Sequence, residues 1–243
     1  MRTPLLCSHC KRQITGRYFK DYWGNSYHVE HLNKVPTCNY CGRLISRELT
    51  KGGTTYSDGR RICMLCHKSA VEDRVKGKLL LKTVHHKLEN LGIEILPFRP
   101  EFYLIDRSRL KSLAGSSEKQ GFARFQRETV NGIIRNFTMD IYILKGLPES
   151  SFITACAHEL MHIWFYSRNL TDLSPQLEEG SCQFTAYLIL KDMISPEASY
   201  RIHQLMEDKS PIYGKGFQKV FKMAESKGVK YWLNYVQNHK RIL

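Results

Sequence analysis

The sequence predicts an α+β fold in two parts. Residues 1–70 read as a small zinc-bound module, and residues 71–243 as a larger domain joining a small antiparallel sheet to a series of helices. Three observations predict this. Six of the eight cysteines form Cys-x-x-Cys pairs within the first 66 residues, and a His-x-x-His pair lies between the first two of them. Between residues 93 and 144, β-branched and aromatic runs alternate with turn signals. From residue 148 onward apolar residues recur at helical spacing, punctuated by Ser-Pro and Gly signals.

The ligands of the module come in four pairs: Cys7/Cys10, His28/His31, Cys38/Cys41 and Cys63/Cys66. Four pairs suit two closed tetrahedral zinc sites. In chain order these are Cys7, Cys10, His28, His31, then Cys38, Cys41, Cys63, Cys66, although the sequence leaves other pairings open. No secretory segment precedes Met1-Arg2-Thr3, so the expected compartment is the cytoplasm, where disulfides are unusual. The array resembles a LIM domain, a double zinc finger that binds proteins, and Trp23 and Tyr27 ahead of His28 add to the likeness. Two departures stand out. His31 takes a place usually held by cysteine, and six residues link His31 to Cys38 where the family has two. The second departure leaves the relative orientation of the fingers open.

In the second part, Val71 to Asn90 has helical apolar spacing closed by Gly92, with His85 and His86 as surface or packing residues. Ile93–Phe98 and Glu101–Ile105 read as short strands. Lys111 to Gln120, with Gly115-Ser116-Ser117, reads as a flexible loop. Phe122–Val130 and Ile133–Leu144 read as strands joined by Asn131-Gly132, a strong hairpin signal. Four closing helices are expected near 175–193, 196–208, 214–226 and 229–240.

The helix after residue 148 carries His158-Glu159-Leu160-Met161-His162. Positions i and i+4 share a helix face, so the two imidazoles can grip one Zn²⁺, and the intervening glutamate sits beside the metal as a general base. Apolar residues at 153, 156, 157, 160, 161 and 164 bury the remaining faces. A third ligand is offered by the next helix, opened by Ser174-Pro175, in Glu178 or Glu179. Gln183, one turn beyond Glu179, is a candidate hydrogen-bond partner for a histidine ring. Cys156 and Cys182 read as packing residues.

This segment resembles the gluzincin metallopeptidases, whose third ligand is a glutamate on the following helix. In their aminopeptidase branch it directly precedes a glycine, as Glu179 precedes Gly180. The resemblance implies His158, His162 and Glu179 as metal ligands, with Glu178 as the alternative. It also implies a strand at the edge of the cleft just before the metal helix. A LIM-like array followed by a gluzincin-like domain resembles the ubiquitin-activated LIM-domain metallopeptidases, known from plants as limiters of organ growth (the DA-one-like family). Gly146-Leu147-Pro148, Leu177–Gln183 and Ser210–Phe217 agree with that likeness. It implies a zinc-dependent endopeptidase with one catalytic and two structural zinc ions. Glu159 would be its general base, and Tyr213 the first-choice oxyanion donor ahead of His203 and Tyr187. The expected partners are a protein or peptide substrate and a protein bound by the LIM-like module. Plant members carry ubiquitin-interacting helices ahead of the LIM region, and this sequence shows none, so ubiquitin activation is not carried over.

Composition fits this reading. The formal net charge is +14, with 12 Lys+Arg against 4 Asp+Glu in residues 1–70. Six thiolates and two Zn²⁺ would bring the module's excess down by about two charges. No basic-aromatic RNA-binding module is visible, and no apolar run reaches the length of a membrane span. The rival readings are a non-enzymatic LIM-type adaptor and a basic zinc-ribbon protein on nucleic acid. An intact Glu159 argues against the adaptor, because metal binding alone needs no carboxylate there.

Overall fold

A computed structural model describes residues 4–95, 100–130 and 133–242. The chain divides into two compact units, Met1–Ala70 and Val71–Leu243.

The first unit is built from two metal-binding knuckles and two short hairpins. Strand β1 (Tyr18–Lys20) pairs antiparallel with β2 (Ser26–His28), and a 3-10 turn covers Val29–His31. Helix α1 (Arg47–Thr50) is capped by Ser46, whose hydroxyl accepts from the Leu49 N–H. Strands β3 (Gly53–Thr55) and β4 (Arg61–Cys63) form the second hairpin, followed at once by α2 (Met64–His67). The two knuckles repeat one geometry. Cys7 N–H donates to Arg12 O and Cys38 N–H to Arg43 O, both at 2.9 Å. In each, the residue after the second cysteine, Lys11 or Gly42, has positive φ. One small apolar cluster of this unit joins Cys7, Ile14 and Tyr27 of the first finger to Leu44 of the second. A module of this size with so small a cluster depends on other cross-links. The fingers are tied by Trp23, whose indole N–H donates to Cys41 O at 2.8 Å, with the Arg43 guanidinium 3.4 Å above the ring.

The second unit opens with α3 (Arg74–Asn90), capped by Asp73. Val71 lies outside this helix and bridges to Leu147 instead. Then come β5 (Glu101–Ile105), α4 (Arg107–Ala114), β6 (Gly121–Val130) and β7 (Ile133–Leu144). Five helices follow: α5 (Glu149–Ser167), α6 (Pro175–Leu190), α7 (Pro196–Glu207), α8 (Tyr213–Lys227) and α9 (Val229–Asn238).

Several sequence expectations need correction here. The sheet is mixed, not antiparallel: its order is β5-β7-β6, with β5 parallel to β7 and β6 antiparallel to it. A parallel pair needs a long crossover, and α4 with β6 supplies it. Consequently β7, the strand just before α5, is central, and β6 and β5 form the edges. The supposed loop from Lys111 begins as the end of α4, which Asp106 caps by accepting from the Arg109 N–H and Gly115 closes in the left-handed region. Ile93 and Ile95 are buried and Glu94 is exposed, but none of the three is in a strand. Residues 96–98 of that expected strand, and the Asn131-Gly132 turn, lie outside the described residues.

Helix α5 runs through the core of this unit. Phe152, Cys156, Ala157, Met161, Ile163, Trp164 and Phe165 are all essentially inaccessible. Each large side chain so buried is worth roughly 1.5–3 kcal/mol. Helix α6 lies against α5 on one side and α8 on the other. At the α6–α8 crossing, a Cβ on Gly180 would run into the Gly216 backbone, and one on Gly216 into Gln176 O. Only glycine permits this approach, and it fixes the start of α8 over the start of α6. Among the described residues, no helix is long and apolar enough to cross a membrane.

Candidate functional site

In the first unit, ligand-type atoms of Cys7, Cys10, His28 and His31 lie within 4.8 Å of one another, as do those of Cys38, Cys41, Cys63 and Cys66. Chain-order pairing is therefore the one the fold adopts. All eight cysteines are free thiols. In the first cluster Cys10 Sγ is 3.5 Å from His28 Nδ1, and His28 Nε2 lies 3.2 Å from Gln13 O. The ring is thus oriented by a backbone carbonyl while Nδ1 faces the thiols. His31 Nε2 is buried without a hydrogen bond. In the second, Cys41 Sγ is 3.7 Å from Cys63 Sγ, and the Cys63 N–H points at Cys38 Sγ at 3.4 Å. Clustered soft donors, one with an orphaned ring nitrogen, fit a closed zinc site. His9, between Cys7 and Cys10, packs its ring edge-on to His31 at 4.6 Å, a neighbour the spacing does not reveal.

In the second unit a third cluster forms where α5 meets α6. His158 Nε2 is 3.1 Å and His162 Nε2 3.8 Å from Glu179 Oε2. That oxygen is buried and completes a hydrogen bond to neither ring. Two imidazole nitrogens and a carboxylate oxygen converging on one point, without satisfying one another, fit a metal ion. Burial pushes the Glu179 carboxyl up, but the His158 and His162 rings outweigh it and hold it below the ordinary carboxylate value. Burial likewise pushes the His162 imidazole down, and the Glu178 hydrogen bond with the Glu159 and Glu179 charges more than reverses that.

Glu178 and Glu179 therefore sit in different places. Glu178 Oε1 is 3.1 Å from His162 Nδ1, on the far side of the ring from Glu179. It orients the imidazole and leaves Nε2 facing the cluster. Gln183 lines the cleft, and the carboxylate on the His162 ring is Glu178. Cys182, expected only to pack, brings its Sγ within 4.8 Å of the His158, His162 and Glu179 donor atoms. It is wholly buried, which holds its thiol well above the usual range. Cys156 is also buried, and raised for the same reason.

The cluster opens into a cleft of about 770 Å³ lined by His158, Glu159, His162, Tyr166, Glu178, Glu179 and Tyr213 on the helices, and by Lys119 to Ala123 ahead of and along β6. Glu159 is 6% exposed and lies against β6 at Gly121, where an added Cβ would stand 2.6 Å from Glu159 Oε1. Tyr213, at the start of α8, points its hydroxyl at Glu179 Oε1 at 3.5 Å. Burial and then the Glu179 charge push its phenol up to about 12, so it remains an O–H donor at neutral pH. The other two tyrosine-or-histidine candidates are elsewhere. Tyr187 packs in an aromatic cluster with Phe184, Phe217 and Phe221, and His203 is exposed on α7 outside the cleft lining. His85 and His86 lie near Glu89 on α3. Reading the sequence missed Tyr166, whose ring stacks on His162 at 6.3 Å, although its i+4 position offered the signal. It also missed Lys119, Gly121 and Arg201, which come from distant elements and carry no local signal.

Paired knuckles of cysteine and histidine define a LIM-type zinc-finger protein, here with a further candidate metal centre on two helices. Comparison with known proteins narrows this. The DA1-like family, described as Protein DA1, matches residues 105–199. The chain is 25% identical to the LIM domain-containing protein HDR3 of Oryza sativa subsp. japonica, across 89% of this chain and 56% of that protein. It is 24% identical to Protein DA1 of Arabidopsis thaliana (89% and 51%) and 23% identical to its Protein DA1-related 2 (91% and 53%). The chain is thus similar to the DA1-like family over residues 105–199 and to LIM-domain and DA1-related proteins along most of its length. It spans about half the length of the curated relatives it matches. No solved structure matches it.

Proposed function

We propose that this chain is a zinc-dependent endopeptidase of the cytoplasm, with a LIM-like module that binds substrate or partner. The observation that carries the reading is the convergence of His158 Nε2, His162 Nε2 and Glu179 Oε2 beside Glu159 in an open cleft. A zinc ion bound there would supply a Lewis acid and a water of lowered pKa. His158, His162 and Glu179 would hold it, with Glu178 fixing the His162 ring. The Glu159 carboxylate takes a proton from water and returns it to the leaving amine. Tyr213 donates its O–H toward the carbonyl oxygen as negative charge develops there. Strand β6, an edge along the cleft, offers backbone groups to an extended peptide.

The test is metal content per chain beside cleavage of an unstructured protein by wild type and by Glu159→Gln. The expected result is three zinc ions per chain in both proteins and cleavage by wild type alone. Two zinc ions per chain, unchanged by the His158→Ala, His162→Ala double substitution, would instead favour an adaptor with two structural zincs.

A further inference from the structure

We propose that Cys182 Sγ is the fourth protein ligand of the α5–α6 metal centre at rest, so that the site stays closed until the thiolate gives up its place; this rests on the metallopeptidase reading of the same cluster. Cys182 lies three residues after Glu179 on α6, and so on the same face about one turn along. The rotation of α6 is fixed from its other side. Gly180 meets the Gly216 backbone of α8, and Ser181 Oγ accepts from the Trp232 indole N–H of α9 at 3.1 Å. Glu179 and Cys182 are thereby left on the side of α5, whose His158 and His162 share one face. Cys182 Sγ then stands within 4.8 Å of the donor atoms of His158, His162 and Glu179, the same limit within which each finger gathers its four ligands.

Two further observations separate this cysteine from one that merely packs. Glu179 Oε2, a member of the cluster, is buried without completing a hydrogen bond, so the place where Sγ also converges already lacks a partner. Cys156 is equally buried, on α5, yet belongs to no such cluster among the described residues.

Two imidazoles, a carboxylate and a thiolate are four donors that zinc accepts in a tetrahedron. The thiolate also favours zinc over the hard cations that carboxylates alone would suit. The thiol loses its proton as the metal binds, like the six cysteines of the fingers. Four protein ligands make a closed site, whereas catalysis needs one position for water. Sγ therefore stands where water must enter. Cys182 is wholly buried, so it can withdraw only through a movement of its own side chain or helix.

The experiment loads the full chain with the NMR-active isotope of cadmium and records one resonance per site. Scalar coupling to cysteine Cβ protons counts the thiolates at each. The finger resonances should couple to two cysteines, Cys7 and Cys10, and to four, Cys38, Cys41, Cys63 and Cys66. The cleft resonance should couple to Cys182 alone, and should vanish in the His158→Ala, His162→Ala double substitution. Cys182→Ala should move it upfield and leave both finger resonances in place, while Cys156→Ala should move none. Zinc affinity of the cleft in Cys182→Ala should fall by more than the about 10–100-fold expected from losing an outer partner such as Glu178. Turnover at saturating zinc should nevertheless rise above wild type. The wild-type coupling is read without any variant, so misfolding of Cys182→Ala leaves the test intact. A cleft resonance with no coupling to a cysteine overturns the ligand and leaves the peptidase reading standing. Coupling to Cys182 without a rise in turnover in the folded Cys182→Ala protein overturns the closed resting state. Absence of a cleft resonance beside two intact finger resonances removes the metallopeptidase reading and this inference with it.

Discussion

Glu159 is buried beside β6 yet lines the cleft. Glu159→Gln keeps its volume and a hydrogen-bonding tip but cannot take up a proton. Turnover should fall by about 10²–10⁴-fold with zinc content unchanged; a variant as active as wild type would place the chemistry elsewhere. The two adjacent glutamates of α6 should behave differently. Glu179→Ala removes a donor from the cluster and should empty the site. Glu178→Ala removes only the group on His162 Nδ1, and should weaken zinc binding by about 10–100-fold. Zinc titration against a competing chelator separates them, and the reverse order would exchange their roles. The i, i+4 histidine pair is legible in the sequence because one helix holds both residues. The division of labour between Glu178 and Glu179 is not, because neighbours on a helix diverge by a rotation that only the position of α5 makes meaningful.

Between elements, the contact of β6 with α5 decides where the Glu159 carboxylate rests. Gly121 leaves room for it, and a Cβ there would stand 2.6 Å from Oε1 and 2.7 Å from Cγ. The obstructed group is the end of a flexible side chain, so Gly121→Ala should be relieved by moving Glu159 rather than by opening the fold. Thermal stability should change little, by less than about 1.5 kcal/mol, while turnover drops and zinc remains. Loss of zinc or a large fall in Tm would show that Gly121 serves the fold and not the carboxylate. The helices from α6 onward are legible because their caps are written locally: Ser174-Pro175 and Ser195-Pro196 open α6 and α7, and Gly228 separates α8 from α9. Helix α4 carried equally local signals in Asp106 and Gly115, obscured by the Gly-Ser composition that follows. The parallel pairing of β5 with β7 could not be read, because the register of strands so far apart depends on the crossover between them.

At the scale of the molecule, each unit has its own means of staying folded. The second has an extended core around α5, whereas the first has a small apolar cluster of Cys7, Ile14, Tyr27 and Leu44. Structural zinc supplies on the order of 10–16 kcal/mol to small finger modules, at least matching the roughly 6–12 kcal/mol that four fully buried apolar side chains contribute at roughly 1.5–3 kcal/mol each. Cys38→Ser leaves three donors in the second cluster, and Cys38 Sγ is also the atom the Cys63 N–H faces. The second finger should therefore unfold. The first should loosen as well, because Trp23 loses the Cys41 carbonyl that it hydrogen-bonds. Residues 71–243 should persist as a protease-resistant fragment, identified by mass, with cleavage beginning in residues 1–70. Chelation of wild type should give the same fragment more slowly, as the finger zincs leave. Degradation of residues 71–243 as fast as residues 1–70 would show instead that the two units fold as one cooperative body.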